Sequence, residues 1–122
     1  MAKLDQLLQE IHNELGADLL YLDIVGTDGL SISDMRQGSF DTAAISARWG
    51  LVAKLASKVA DKLNLGDVED DLVSLDSRYT MMHMLGDGSY FIILGLAKDA
   101  PLGVVRVMLK DYADQLWEAI PR

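Results

Sequence analysis

Residues 23–33 read DIVGTDGLSIS, and this stretch decides the fold. An apolar run is followed by two glycines, with Thr27 and Asp28 between them, and then by a second apolar run. A glycine loop that cradles phosphate leads directly into a helix whose N-terminal amides face the anion. Here Leu30 and Ile32 instead continue as a strand, and Asp-Gly is a typical turn between antiparallel strands. We therefore predict a β-hairpin rather than a nucleotide-binding loop.

The rest of the chain contains further helical and strand patterns. The periodicity predicts helices at residues 2–15, 42–64 and from Pro101 onward, a loop at 35–40, and strands at 19–25, 30–33, 70–76, 79–85 and 89–96. Tight turns join most of the strands. The order α-β-β-α-β-β-β-α therefore predicts an α+β fold, with one five-stranded antiparallel sheet packed against helices. We expect residues 1–122 to form a single domain.

The composition excludes several classes of protein. A net charge of −8 disfavours binding to nucleic acid or anionic lipid, and the absence of cysteine excludes disulfides and thiolate zinc sites. The first residues lack the pattern of a signal peptide. The longest apolar run, Tyr90–Ala97, is far shorter than the roughly 20 residues of a membrane helix. We expect a cytoplasmic protein.

Few residues offer catalytic or metal-binding chemistry. His12 and His83 each lack a neighbouring ligand at a metal-binding spacing, so both are interpreted as structural. The acidic run Asp67–Asp71 could suggest a calcium-binding site, but it lacks the ligand spacing of a calcium-binding loop. We interpret it as a solvated segment at the start of a strand. We expect no metal, no cofactor and no enzymatic activity.

The long predicted helix has three faces at about 100° per residue. The first face is broad and apolar, and we expect it to pack on the sheet. It carries Ile45, Trp49, Val52, Ala56, Val59 and Leu63.

The second face of this helix consists of small residues. It carries Ala43, Ser46, Ala47, Gly50, Ala53 and Ser57, with Lys54 and Asp61 among them. Small residues let another backbone approach closely, although Gly50 costs a helix about 1 kcal/mol relative to Ala. We interpret the face as the contact between two antiparallel copies, in which Lys54 reaches Asp61 or Asp41 of the second copy. An exposed alanine-rich surface is the alternative.

The third face mixes leucines with basic residues on an otherwise acidic protein. It carries Ala44, Arg48, Leu51, Leu55, Lys58 and Lys62. Exposed aliphatic residues flanked by Arg are typical of the centre of a protein interface. The face is either a partner-binding patch or a solvated surface whose leucines lie partly under neighbouring structure.

Four segments together carry a family resemblance. They are VGTDGLSIS (25–33), FDTAAISARWGLVAKLASKVADKLNLG (40–66), YTMMHMLGDGSYFIILGL (79–96) and APLGVVRVML (100–109). In this order they resemble the Roadblock family, which includes dynein light chains and MglB-type regulators of small GTPases. The resemblance covers nearly the whole chain.

The resemblance implies a five-stranded antiparallel sheet between helices and a homodimer formed through the long helix and the third strand, where Val73 and Leu75 lie. It also implies binding to a Ras-like small GTPase, as activator or scaffold, without a nucleotide site of its own. We expect docking through Arg48, Leu51, Leu55, Lys58 and Lys62. The alternative function is a small-molecule sensor with a ligand between sheet and helix, although Met81, Met84, Ile92 and Leu94 are typical of a filled core.

Overall fold

The computed structural model describes residues 2–36 and 41–122, and for residues 33–36 the backbone alone. Its helices and strands are α1 (Ala2–Leu15), β1 (Leu19–Gly26), β2 (Ser31–Arg36), α2 (Thr42–Lys62), β3 (Asp70–Ser74), β4 (Arg78–Leu85), β5 (Tyr90–Ala97) and α3 (Leu102–Ala119). The predicted order of elements is confirmed. The loop predicted at residues 35–40 is wrong at its start, because β2 extends through Arg36, and its remainder lies outside the described residues. Pro101 caps α3 rather than forming its first residue.

The five strands form one antiparallel sheet in the order β2-β1-β5-β4-β3. Its centre is β5, which pairs with β1 on one side and β4 on the other. The edges are therefore β2 and β3, which each pair with a single neighbouring strand among the described residues. The predicted α+β fold with one antiparallel sheet is confirmed.

The opening stretch forms the predicted hairpin between β1 and β2. The Gly29 amide donates to the Gly26 carbonyl over 2.8 Å, and the Gly26 amide donates to the Leu30 carbonyl over 3.0 Å. Gly29 has a φ of 87°, a conformation that side chains other than glycine rarely adopt. The Asp28 carboxylate accepts from the Leu30 amide over 3.0 Å and closes the turn. These glycines therefore form a turn between strands and do not lead into a helix.

Helices cover both faces of the sheet. Side chains alternate between the two faces along each strand. One face contributes Leu22, Ile24, Met81, Ile92 and Leu94 to a cluster with Leu4, Leu7, Leu8 and Ile11 of α1 and Val105, Leu109 and Leu116 of α3. The other face contributes Tyr21, Val25, Met82, Phe91 and Ile93 to a cluster with Ala53 of α2. The sheet thus separates α2 from α1 and α3.

No helix among the described residues is long and apolar enough to cross a membrane.

The turn between β4 and β5 is fitted to α3. Gly86 has a φ of 55°, and a Cβ placed on it would overlap the Trp117 indole. Trp117 also lies beside Tyr90, with ring centroids 6.2 Å apart. The absence of a side chain at Gly86 therefore lets the C-terminal part of α3 pack on the end of the sheet.

We predict opposite effects for alanine at two glycines. Gly86→Ala should lower the free energy of unfolding by about 2–4 kcal/mol, because it adds both backbone strain and overlap with Trp117. Gly103→Ala should raise it by up to about 1 kcal/mol, because Gly103 lies in α3 with open space around its Cβ position. Urea unfolding of both variants measures the two changes. Equal stability of the two variants would contradict the packing described for Trp117.

Candidate functional site

The small residues of α2 face the chain's own sheet. The buried residues of this helix are Thr42, Ser46, Gly50, Ala53 and Ala60. A Cβ placed on Gly50 would lie 3.6 Å from the Gly29 Cα atom and 3.8 Å from the Phe91 Cζ atom. The helix axis therefore lies close to the β1–β2 turn. This close approach needs small side chains on the inner face of the helix.

A buried carboxylate fixes the rotation of α2. Asp23 of β1 is fully buried, and its Oδ2 atom accepts from the Ser46 hydroxyl of α2 over 2.5 Å. Its Oδ1 atom accepts from the Ser31 hydroxyl of β2 over 2.7 Å. A buried carboxylate is costly unless donors satisfy it. One side chain thus links two strands to the helix and directs the Ser46 side of α2 inward.

This orientation corrects the predicted dimer interface. Ser46, Gly50 and Ala53 were expected to contact a second copy, but their surfaces are already occupied by the sheet. That part of the prediction is wrong, because the small residues admit a strand turn of the same chain rather than a second helix. The other residues predicted on this face remain accessible. Ala43, Ala47 and Lys54 are exposed, and Ser57 is half-buried.

The face expected to pack on the sheet is also partly misassigned. Ile45 and Trp49 do pack against the cluster beneath α2. Val52, Val59 and Leu63, however, are 40%, 47% and 62% exposed. Large apolar residues usually mark the buried side of a helix, but here the small side packs against the sheet and displaces them outward.

The residues predicted to bind a partner all lie on the exposed side of α2. Leu51 and Leu55 are 69% and 62% exposed. Arg48, Lys58 and Lys62 are also exposed. The outer face of α2 is defined here as Arg48, Leu51, Val52, Leu55, Lys58, Val59, Lys62 and Leu63. A contiguous apolar surface of this kind, edged by bases, is typical of an interaction site.

Strand β3 offers a second accessible feature. Val73 is half-buried within the strand, and Leu75 lies just after its end. Burial, and secondly the neighbouring Asp70 carboxylate, raise the pKa of Asp71. In the described part of the chain the buried Oδ2 atom of Asp71 has no hydrogen-bond partner. Among the described residues, the strand therefore has one backbone edge that no other strand pairs with and a carboxylate oxygen without a hydrogen-bond partner.

The polar residues on the other side of β3 and β4 form a structural cluster. Asp70 lies opposite His83 in the sheet, and the Arg106 guanidinium donates two hydrogen bonds to the Asp70 carboxylate, each over 3.1 Å. Burial lowers the pKa of His83, and the Asp70 carboxylate acts in the opposite direction. Within residues 2–36 and 41–122, no group of three or more His, Asp or Glu residues is placed to hold a metal ion.

Comparison with known proteins places this geometry in context. No protein-family model matches the sequence. The uncharacterized protein MJ0310 of Methanocaldococcus jannaschii is 29% identical over 93 residues, which cover 76% of this chain and 80% of that protein. MglB of Myxococcus xanthus superposes with a TM-score of 0.85 at 15% identity, covering 95% of this chain and 93% of that one. A Roadblock/LC7 domain from Streptomyces avermitilis gives a TM-score of 0.81 at 17% identity, covering 92% of both chains.

We predict that Ser46 contributes to stability through Asp23. Ser46→Ala should lower the free energy of unfolding by about 1–3 kcal/mol, because the buried carboxylate loses a donor. Ser57→Ala is the matched control on the same helix, three turns away from the Asp23 contact, and should change stability by less than about 0.5 kcal/mol. Chemical denaturation measures both. A Ser46→Ala variant as stable as the wild type would show that the carboxylate does not hold α2.

We also predict a pH dependence that originates at His83. The pKa of His83 is lower in the folded protein than its ordinary value of about 6.5 in the unfolded chain. As the pH falls below about 6.5, the unfolded chain therefore binds a proton at His83 more readily than the folded protein does. Stability should therefore fall as the pH is lowered from 7.5 to 5. His83→Gln should show a smaller fall over the same range, measured as the free energy of unfolding. An equal fall in both proteins would assign the dependence to other groups.

Proposed function

Because the chain has the Roadblock fold, we propose that it is a cytoplasmic homodimeric regulator or scaffold that binds a Ras-like small GTPase. In this proposal the whole chain acts as one Roadblock-like domain and is not itself an enzyme. The observation that carries the proposal is the outer face of α2, where large aliphatic side chains are exposed to solvent. Both the second copy of the chain and the GTPase are proposed to contact this helix.

The dimer is proposed to form along one side of α2 and along β3. Gly29 lies next to Ala47 and Gly50, so this side of α2 faces the β1–β2 turn. At about 100° per residue, Val52 and Val59 lie on the opposite side of the helix. A second copy packed against these two valines would cover them.

The edge of β3 supports the same arrangement. Exposed strand edges are usually covered or paired, because their free amides and carbonyls otherwise recruit other strands. Pairing β3 with β3 of a second copy would continue the sheet across two subunits. Val73 would then lie at the subunit boundary, and the unsatisfied Asp71 carboxylate would lie near groups of the second copy.

The GTPase is proposed to bind the remaining part of the outer face. Leu51 and Leu55 lie one helical turn apart, and Arg48 and Lys58 lie on the same side of the helix. These bases concentrate positive charge on a protein whose net charge is −8. Such a patch suits a partner surface that is apolar at its centre and acidic at its rim. The β1–β2 glycines form a hairpin, which supports the view that the nucleotide belongs to the partner.

The sensor alternative has less support. Met81, Ile92 and Leu94 are fully buried in the cluster beneath α1 and α3. Met84 packs against the cluster beneath α2. Side chains thus occupy the space between sheet and helices where a ligand would have to bind.

We predict that two pairs of substitutions separate the two contacts. Leu51→Asp with Leu55→Asp should abolish binding to a GTP-loaded Ras-like GTPase, because charge replaces the apolar centre, and should leave the dimer intact. Val52→Asp with Val59→Asp should convert the dimer to a monomer. All four residues are exposed in the single chain, so folding should be retained. Sedimentation measures the oligomeric state, and titration calorimetry measures binding to candidates loaded with GTP or GDP.

The two pairs are also controls for each other. Arg48→Ala should weaken GTPase binding by about 1–2 kcal/mol if the arginine is an anchor of the interface. A Leu51→Asp, Leu55→Asp protein that still binds the GTPase with unchanged affinity would place recognition elsewhere. A wild-type protein that sediments as a monomer at micromolar concentration would contradict the dimer.

A further inference from the structure

A groove lies between α1 and α3, on the side of the sheet opposite α2. It has a volume of about 650 Å³ and is open to solvent. Its floor includes Val104, Val107 and Met108 of α3. Val104 and Val107 are 65% and 62% exposed, although α3 buries Val105 and Leu109 on its inner side. Val104 and Val107 therefore line an accessible surface that the core does not use, beside the buried Met108.

The residues at the start of this groove have low intrinsic helix propensity. Valine is less favourable than alanine in a helix by roughly 0.5 kcal/mol, and glycine by about 1 kcal/mol. Gly103 has open space around its Cβ position, so no close contact within the chain requires a glycine there. Gly103, Val104 and Val107 form a shallow apolar surface. At one end of it the backbone of Gly103 is not covered by a side chain. That surface admits close approach by another chain.

The rim of the groove is acidic. Glu10 and Glu14 of α1 line one side, and Asp111 of α3 lines the other. Tyr112 donates to the Glu14 carboxylate over 3.3 Å. Burial, followed by the charges of Glu14 and Glu10, raises the pKa of Tyr112.

The basic residues of α3 lie elsewhere. Arg106 is paired with Asp70 of β3, and Lys110 lines a different cavity together with His83 and Glu69. No lysine or arginine lines the groove itself among the described residues. Its apolar floor is therefore bordered by carboxylates that are not neutralised by bases within the groove.

We propose that the groove between α1 and α3 binds a basic amphipathic helix of another protein, with an apolar stripe on Val104 and Val107 and lysines or arginines against Glu10, Glu14 and Asp111. Charge complementarity selects this occupant. The net charge of −8 also accelerates the approach of a basic segment. A second copy of this chain is a poorer fit, because groove-to-groove packing would bring the acidic rims of the two copies together.

This surface is separate from the outer face of α2. The sheet lies between them, since α1 and α3 pack in one cluster and α2 in the other. Both surfaces can therefore be occupied together. A protein with a basic helix would be held on one side while α2 remains free on the other.

A designed 18-residue peptide tests the groove. The probe is a fluorescently labelled helix of leucine and lysine with leucines at i, i+3, i+4 and i+7, and its control has the same composition in scrambled order. Fluorescence anisotropy should show the patterned peptide binding the full-length protein at least tenfold more tightly than the scrambled one. Val104→Ser with Val107→Ser should reduce the affinity at least tenfold. Leu51→Ser with Leu55→Ser, the matched apolar control on α2, should change it less than twofold.

Charge variants complete the test. Glu10→Gln with Glu14→Gln should weaken binding at least fivefold at low salt, whereas Asp76→Asn with Asp99→Asn removes the same charge from exposed positions elsewhere and should have little effect. Equal losses in the two charge variants would overturn the proposal, because they would show general attraction to an acidic protein. Equal binding of patterned and scrambled peptides would overturn it as well. Concentration-dependent assembly that Val107→Glu abolishes would assign the groove to a second copy instead.

Discussion

The buried Asp23 carboxylate is the interaction on which the functional surface depends. It accepts hydrogen bonds from the hydroxyl groups of Ser31 in β2 and Ser46 in α2, and it lies on β1, between β2 and the central strand β5. Since a buried carboxylate must keep its donors, the helix is held with Ser46 inward. Gly50 and Ala53 then permit close contact with the β1–β2 turn and with Phe91. The rotation of α2 follows from these contacts, and with it the exposure of the leucines and valines opposite.

The sheet separates two surfaces, each of which we propose to bind a different partner. The outer face of α2 combines aliphatic residues with Arg48, Lys58 and Lys62, so it has a positive edge. The groove between α1 and α3 combines Val104 and Val107 with Glu10, Glu14 and Asp111, so it has a negative edge. Surfaces of opposite charge select different partners. In the proposed function, a GTPase on one side and a basic helix on the other would be brought together without competing for the same residues.

The sequence was sufficient to predict the order of elements, because turns such as Asp28-Gly29 and the heptad-like spacing of Leu4, Leu8 and Ile11 are local signals. The rotation of α2 could not be predicted in the same way. Its large apolar residues and its small residues each formed a stripe, and hydrophobicity alone favoured burying the large ones. The rotation of α2 is determined by Asp23, which lies 23 residues before Ser46 in the sequence and contacts it only in the folded chain. The groove had a local signal that was missed, because Val104 and Val107 lie off the face of α3 that carries the buried Val105, Leu109 and Leu116.

Thiol labelling tests the orientation of α2 most directly, because the chain contains no cysteine and single cysteines can be placed without a background. Ser46→Cys replaces an inward hydroxyl with a thiol of similar size, and Leu51→Cys places a thiol on the outer face. In the native protein we expect the thiol at position 51 to react with a maleimide at least tenfold faster than the thiol at position 46. A bound GTP-loaded GTPase should then slow the reaction at position 51. Equal rates at the two positions in the free protein would show that α2 is not held with its small residues against the sheet, and the assignment of its outer face would be wrong.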